Sequence, residues 1–443
     1  MRIRIKGGRL LDPGHIDCPG DVEIVDGKIT AIFPQSDAAD GRGEEAAMAA
    51  ELEIDAAGCI VAPGLMDMHV HLREPGLEYK ETIETGISAA AAGGFTAVCC
   101  MPNTEPVNDN AQITNFIVDT AAKCRSVRVY PIGAISAGLE GAQLAAYGEM
   151  KSAGAAGVTD DGRPVSDAQL MRRALEYASG MGMAVISHCE DTGLSNGAMN
   201  EGVNATRLGL PGIPNAAESI MVMRDIAVCE LTGVPVHIAH VSTRQSVDAI
   251  RTAKQNGLPV TAETAPHYFT LTDEAVALYD THAKMNPPLR SPADREAIRQ
   301  ALADGTIDVI ATDHAPHDAL AKNVEFDRAA NGIIGLETAL PLCLDLVRRG
   351  YLSPAALIEK MATAPARIIG KPCGLTVDAP ADITVIDPDR RFDYHTEQGF
   401  SKSRNSPFDG WQMTGGAVYT IVDGRVVFDG KTDVAGNGHL KIR

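Results

Sequence analysis

The sequence predicts an α/β protein: a (βα)8 barrel of the TIM type, with a small β-sandwich domain built from both chain termini. Three observations point there. Between about residues 58 and 370, eight short β-branched runs alternate with longer Ala/Leu-rich stretches. The two ends of the chain are strand-rich instead, and each carries the same hairpin signal. Side chains with ligand chemistry fall at the C-terminal ends of the candidate barrel strands, where barrels of this class carry their sites.

The elements follow in order. Residues 1–6 alternate apolar and basic side chains ahead of Gly7-Gly8, which reads as a strand rather than a secretory leader, because no apolar run follows. Ile24-Val25-Asp26-Gly27-Lys28-Ile29 is a hairpin pattern around an Asp-Gly turn that tolerates positive φ. Residues 36–51 are rich in Ala, Gly and acid without any period, the mark of a surface loop. Barrel strands are expected at 66–69, 96–100, 127–132, 157–159, 184–188, 236–240, 260–263 and 309–313. Ser166-Asp167 caps a helical run through Ser179, closed by Gly180 and Gly182. Strand-rich segments return at 383–386 and 417–428, where Ile421-Val422-Asp423-Gly424-Arg425-Val426 repeats the first hairpin almost letter for letter. The division is therefore a composite β domain from 1–57 and 371–443 around a barrel at 58–370.

Composition narrows the function. With 443 residues there is ample chain for a full core, and 45% hydrophobic with 22% charged residues excludes disorder and coiled coil. A net charge of −19 argues against nucleic acid and anionic membranes as partners. An anionic substrate would then need a dedicated local cation. The longest small-residue stretch, 89–101, is broken by Gly93-Gly94, so no membrane span is expected. Nine cysteines without a spaced framework read as reduced thiols of a cytoplasmic protein, with Cys99, Cys100, Cys189 and Cys229 as small buried hydrophobes.

The chemistry converges on one mouth. His69 and His71 share a face of the first strand, a spacing that suits a divalent metal such as zinc. Asn103 follows the second strand and Asp160-Asp161 the fourth; His188, His240 and Asp313 end the fifth, sixth and eighth. His237 and His314 stand at odd offsets from their neighbours and are read as packing or supporting residues, while His15, His267, His282, His395 and His439 are given no role.

These residues resemble a known family. His69-Val-His71-Leu-Arg73-Glu-Pro-Gly, Met101-Pro-Asn103-Thr, Thr159-Asp-Asp161-Gly, His188-Cys-Glu and His237-Ile-Ala-His240-Val-Ser look like dihydroorotases of the amidohydrolase superfamily. So do Asn286-Pro-Pro-Leu-Arg, Ala311-Thr-Asp313-His-Ala-Pro-His317, Gly332-Ile-Ile-Gly-Leu-Glu-Thr and the late Ser401-Lys-Ser-Arg-Asn-Ser-Pro. The resemblance is to the longer bacterial type with a composite β domain, and it covers nearly the whole chain.

That resemblance implies a zinc-dependent, reversible cyclisation of N-carbamoyl-L-aspartate to (S)-dihydroorotate in pyrimidine biosynthesis. His69, His71 and Asp313 would hold one zinc, His188 and His240 a second, and Asp161 would bridge them, where many superfamily members use a carbamylated lysine. Asp160 is the alternative for that bridging position. A hydroxide shared by the metals would attack the ring, and Asp313 would act as general base and then acid. Arg73, Asn103, Asn286, His317, Asn331 and Gly332, with His71, would receive the substrate, Arg73 pairing with its carboxylate. Residues 318–331 would form a lid, which departs from the family at Asn331, where Pro or Phe is commoner. A homodimer and an association with aspartate carbamoyltransferase are further implications. The rival readings are a dihydropyrimidinase (hydantoinase) or allantoinase, and a non-catalytic subunit of a transferase complex that would have lost metal ligands.

Overall fold

A computed structural model describes residues 1–35, 50–430 and 432. The loop expected at 36–51 lies almost wholly outside the described residues, and so does His439.

Eight strands lie side by side in chain order, every neighbouring pair parallel: Leu65–Val70, Phe95–Cys100, Arg128–Gly133, Gly157–Thr159, Ala184–Ser187, Val236–Ile238, Val260–Thr264 and Val309–Ile310. A helix follows each strand: Ile83–Ala92, Ala111–Cys124, Tyr147–Ser152, Ala168–Ser179, Ala216–Thr232, Arg244–Gln255, Pro292–Ala303 and Leu336–Arg348. This is the expected barrel. Its strands read as apolar runs because both faces are covered. Inside, Met66, Met68, Ala97, Cys99, Ile132, Ile186, Ala239 and Val309 form one buried cluster. Outside, Val98, Val158, Val185 and Ile238 pack with the helices. Each fully buried Val or Ile is worth about 1.5–3 kcal/mol.

The barrel closes at a short seam. Val70 bridges His314 in parallel, and the His71 amide donates to the His314 carbonyl at 2.8 Å. Below that bridge the buried Asp67 carboxylate spans the seam, accepting from the His69 amide at 3.0 Å and the Thr312 amide at 3.1 Å. The helix at Ala168–Ser179 starts as its sequence predicts, Asp167 accepting from the Leu170 amide at 2.8 Å.

The terminal segments form a mixed sheet, ordered Arg425–Asp429, Gln412–Val422, Ile383–Asp393, Ile60–Pro63, Arg2–Asp12, Ile16–Val25 and Lys28–Pro34, with Leu52–Asp55 also paired to Arg2–Asp12. Ile3, Ile5, Val22, Ile24 and Ile29 share one core with Ile383, Val385 and Ile421. Both hairpins turn as the Asp-Gly pairs require: φ is 49° and 85° at Asp26 and Gly27, 48° and 65° at Asp423 and Gly424. The two turns touch, so that a Cβ on Gly424 would fall 2.8 Å from Gly27 Cα. Ile60–Pro63 joins this sheet although it lies past residue 57, because its Ile-Val pair fills the gap between Arg2–Asp12 and Ile383–Asp393. Arg128 ties the barrel to it, its Nε donating to Asp382 at 2.8 Å. Among the described residues no helix is long and apolar enough to cross a membrane.

Candidate active site

The C-terminal mouth of the barrel gathers the residues the sequence singles out. His69 lies on the first strand; His188 follows the fifth directly. His240 and Asp313 sit beyond the ends of their ladders, at Ile238 and Ile310, rather than on them. The reason is backbone geometry: φ is 34° at His240 and 49° at Asp313, left-handed values that turn the chain out of the sheet and toward the axis.

The imidazoles are oriented from behind. His69 Nδ1 donates to Glu263 Oε1 at 2.6 Å, and His71 Nδ1 donates to Asn103 Oδ1 at 2.9 Å. Each ring therefore turns Nε2 inward. His69 Nε2 stands 3.3 Å from Asp161 Oδ1 and 3.7 Å from Asp313 Oδ1, buried and aligned for a hydrogen bond to neither. His71 Nε2 stands 3.2 Å from Asp313 Oδ1 and 3.4 Å from Asp161 Oδ2. Imidazole nitrogens this close to carboxylate oxygens in a dry pocket need positive charge between them, as a ring proton or a bound cation, and Asp161 and Glu263 lift His69 well above its ordinary range against burial. His188 Nδ1 is 2.7 Å from His240 Nε2 and 3.4 Å from Asp161 Oδ1, while His240 Nδ1 is buried without a partner. Two sets, His69–His71–Asp313 and His69–Asp161–His240, keep their ligand atoms within 4.8 Å of one another. The donor set, nitrogen and carboxylate oxygen converging from different strands, fits divalent metal ions.

The electrostatics agree. Burial resists ionisation of Asp161 and Asp313, yet the surrounding imidazoles, His69 foremost, outweigh it and keep both carboxyls below the usual carboxylate range. Burial likewise opposes protonation of His188, but Asp161 and Glu190 lift it to about 10. His71 is driven the other way, by burial and then by Arg73. Two buried carboxylates among imidazoles hold positive charge in the site, a place that ring protons or metal ions can fill.

Adjacent Asp160 and Asp161 part company. Asp161 faces the histidines, whereas Asp160 accepts from the Ser136 amide at 2.9 Å and from its hydroxyl. Burial pushes Asp160 up to about 6.

Arg73 stands at the rim with φ of 63° and is buried. Its Nε donates to the Pro316 carbonyl at 3.2 Å. His317 Nε2 is 3.4 Å from Arg73 Nη2 but donates to the Asn331 carbonyl at 2.8 Å, so it cannot also accept from the guanidinium. Burial and then Arg73 hold the His317 imidazole down to about 2, hence neutral. Among the described residues no carboxylate lies within 4.0 Å of the guanidinium, which burial draws down to about 10. Asn103 Nδ2 reaches Asp161 at 3.5 Å, and Asn286 hydrogen-bonds Glu190. Asn331 is exposed and Gly332 buried at φ 127°, where a Cβ would fall 2.6 Å from that of Ala315.

Sequence reading missed Glu263 and Glu190. Glu263 also lies 3.3 Å from His237 Nε2, whose Nδ1 meets Thr261 Oγ1 at 2.8 Å, so His237 does support the site from behind. The signal was an acid at the C-terminal end of an otherwise uncharged strand. His314 supports as well, its Nε2 3.4 Å from the buried Glu81. His267, given no role from sequence, is fully buried with Nε2 unpartnered.

Comparison with known proteins returns a consistent picture. Residues 58–246 match a family model described as "Dihydro-orotase-like". The chain is 58% identical to a dihydroorotase of Desulforapulum autotrophicum, over 97% of this chain and 99% of that protein. It is 57% identical to one of Geotalea daltonii, over 96% and 99%. Among solved structures, an L-hydantoinase (dihydropyrimidinase) from Arthrobacter aurescens superposes with a TM-score of 0.84 at 26% identity, covering 96% of each chain.

Proposed function

The chain belongs to the dihydroorotase family, and from that premise we propose how its residues interconvert N-carbamoyl-L-aspartate and dihydroorotate. It is a hydrolase of cyclic amides. The observation that favours the acid over a neutral cyclic amide is Arg73. Burying a guanidinium without an acidic partner costs several kcal/mol, and a substrate carboxylate seated against it repays that cost. A hydantoin or dihydropyrimidine ring offers no such group. The scaffold-only alternative is disfavoured by all six candidate ligands being present and converging.

We assign two zinc ions to the mouth: His69, His71 and Asp313 would hold one, His188 and His240 the other, with Asp161 shared. Bound there, the metals would polarise the scissile carbonyl and lower the pKa of water toward neutrality. The remaining work belongs to the chain. Asp313, kept anionic by its imidazole neighbours, accepts the proton of the attacking water and delivers it to the ring nitrogen as that bond breaks. In the reverse direction it removes the same proton from the ureido nitrogen. Arg73, Asn103 and Asn286 fix the carboxylate end, His317 and the 331–332 backbone border the ring, and Glu263 and Asn103 keep the two leading imidazoles in one tautomer.

The direct test is turnover of dihydroorotate against dihydrouracil, which lacks the carboxylate, alongside metal analysis. Two equivalents of metal with activity on the first substrate alone is the expected result; equal activity on both would sink the assignment. A second expectation separates the adjacent aspartates. Asp161→Asn should lose one or both metals and most activity, whereas Asp160→Asn should retain metal, since its carboxylate holds Ser136. The reverse ranking by elemental analysis would overturn it. A cytoplasmic homodimer, and association with aspartate carbamoyltransferase, complete the proposal; sizing with and without the transferase tests both.

A further inference from the structure

Residues 318–331 contain a single turn of helix, Ala319–Lys322, capped by Asp318 accepting from the Leu320 amide at 2.9 Å. Its leucine faces water at 83% exposure while its lysine, Lys322, is 3% exposed. That is the reverse of what solvation alone dictates. The Lys322 ammonium donates to three main-chain carbonyls: Ala330 at 2.7 Å, Thr281 at 3.0 Å and Lys284 at 3.1 Å. An ammonium has three N–H donors, and all three are spent on backbone from two separate segments. The Lys284 carbonyl is a shared node, since it also accepts from the Gly332 amide at 3.0 Å. In return, Lys284 Nζ donates to the Asp327 carbonyl at 2.9 Å. Burial, with the Lys284 ammonium close by, draws the Lys322 ammonium down to about 7 against the opposing pull of Asp280.

The two segments tied together are the ones that carry substrate groups. Residues 281–284 lead into Asn286, and Ala330 precedes Asn331 and Gly332. We propose that Lys322 is a positioning residue for the reaction: a pin that fixes the 330–332 backbone against the 281–286 segment and so sets the width of the substrate slot. This rests on the functional reading above, in which Asn286, Asn331 and Gly332 border the substrate. Lys322 itself touches neither the substrate nor the ligand cluster.

The pin is tested with Lys322→Met and Lys322→Arg, assayed on the metal-loaded enzyme in both directions. Losing a charged donor to buried carbonyls should raise KM for dihydroorotate about tenfold or more in Lys322→Met, with kcat within about threefold and metal content unchanged. Amide hydrogen exchange at 330–332 should accelerate in that variant while exchange in the barrel strands holds. Lys322→Arg keeps the charge and should recover part of the KM. If Lys322→Met does not fold, Lys322→Gln, which retains two donors, is read by the same criteria. A wild-type KM in these variants, a loss of kcat and metal together, or unchanged exchange at 330–332 overturns the pin. Should the wild-type enzyme itself fail to convert dihydroorotate, it is the functional reading that falls.

Discussion

Replacing Asp313 by Ser is expected to abolish ring opening and ring closure together. The carboxylate stands 3.2 Å from His71 Nε2 and 3.7 Å from His69 Nε2. General acid–base catalysis is worth about 10²–10⁴-fold, and in the proposed mechanism the same group serves both directions, so each rate should fall by about a hundredfold to ten-thousandfold. Metal content is the control. The His188–His240 side keeps its own nitrogen donors and Asp161, so its ion should persist when Asp313 is lost. Substantial turnover in either direction would move the proton shuttle to another residue.

The second large effect belongs to Arg73. Truncating one partner of a desolvated charge pair costs about 2–5 kcal/mol, which is roughly 30-fold to several thousandfold in binding. Arg73→Met should weaken dihydroorotate by that much, leave the metals in place, and narrow the preference over dihydrouracil. Arg73→Lys should recover little. An ammonium cannot reproduce the two-pronged fork, nor the Nε–H bond that Arg73 gives the Pro316 carbonyl. If Arg73→Met kept the wild-type preference for the acid, the carboxylate would be held elsewhere.

The barrel was legible in the sequence because parallel strands buried on both faces must be written as continuous apolar runs. All eight were found, with ends displaced by a few residues. The displacement is largest where it matters. His240 and Asp313 were expected on strand ends, and both stand on left-handed backbone past the ladder, a geometry that no apolar pattern encodes. The histidines and aspartates were legible through their chain position and the family resemblance together. Their supports were not. Glu263 serves His69 across 194 residues, and Glu81 meets His314 across 233 and the Ser401 hydroxyl and Lys402 amide across 320 and 321. Such pairings exist only once strands from opposite parts of the chain are neighbours. The rim lysine was invisible for a related reason: its partners are backbone carbonyls, which carry no side-chain signature.

The sheet shared by the two termini has a consequence in time. Ile60–Pro63 pairs with Arg2–Asp12 on one side and with Ile383–Asp393 on the other, a partner about 320 residues downstream. At a synthesis rate of about 5–20 residues per second, the first strands wait some tens of seconds beside an open edge of Ile60 and Val61. The barrel can begin to assemble strand by strand as it emerges, but the earliest part of the chain is the last to be completed. During that interval the nascent protein presents an unpaired, apolar strand edge, the feature by which chains join wrongly to one another. A ribosome that stops between residues 370 and 383 releases a product whose barrel strands are all present and whose oldest strands still face the open.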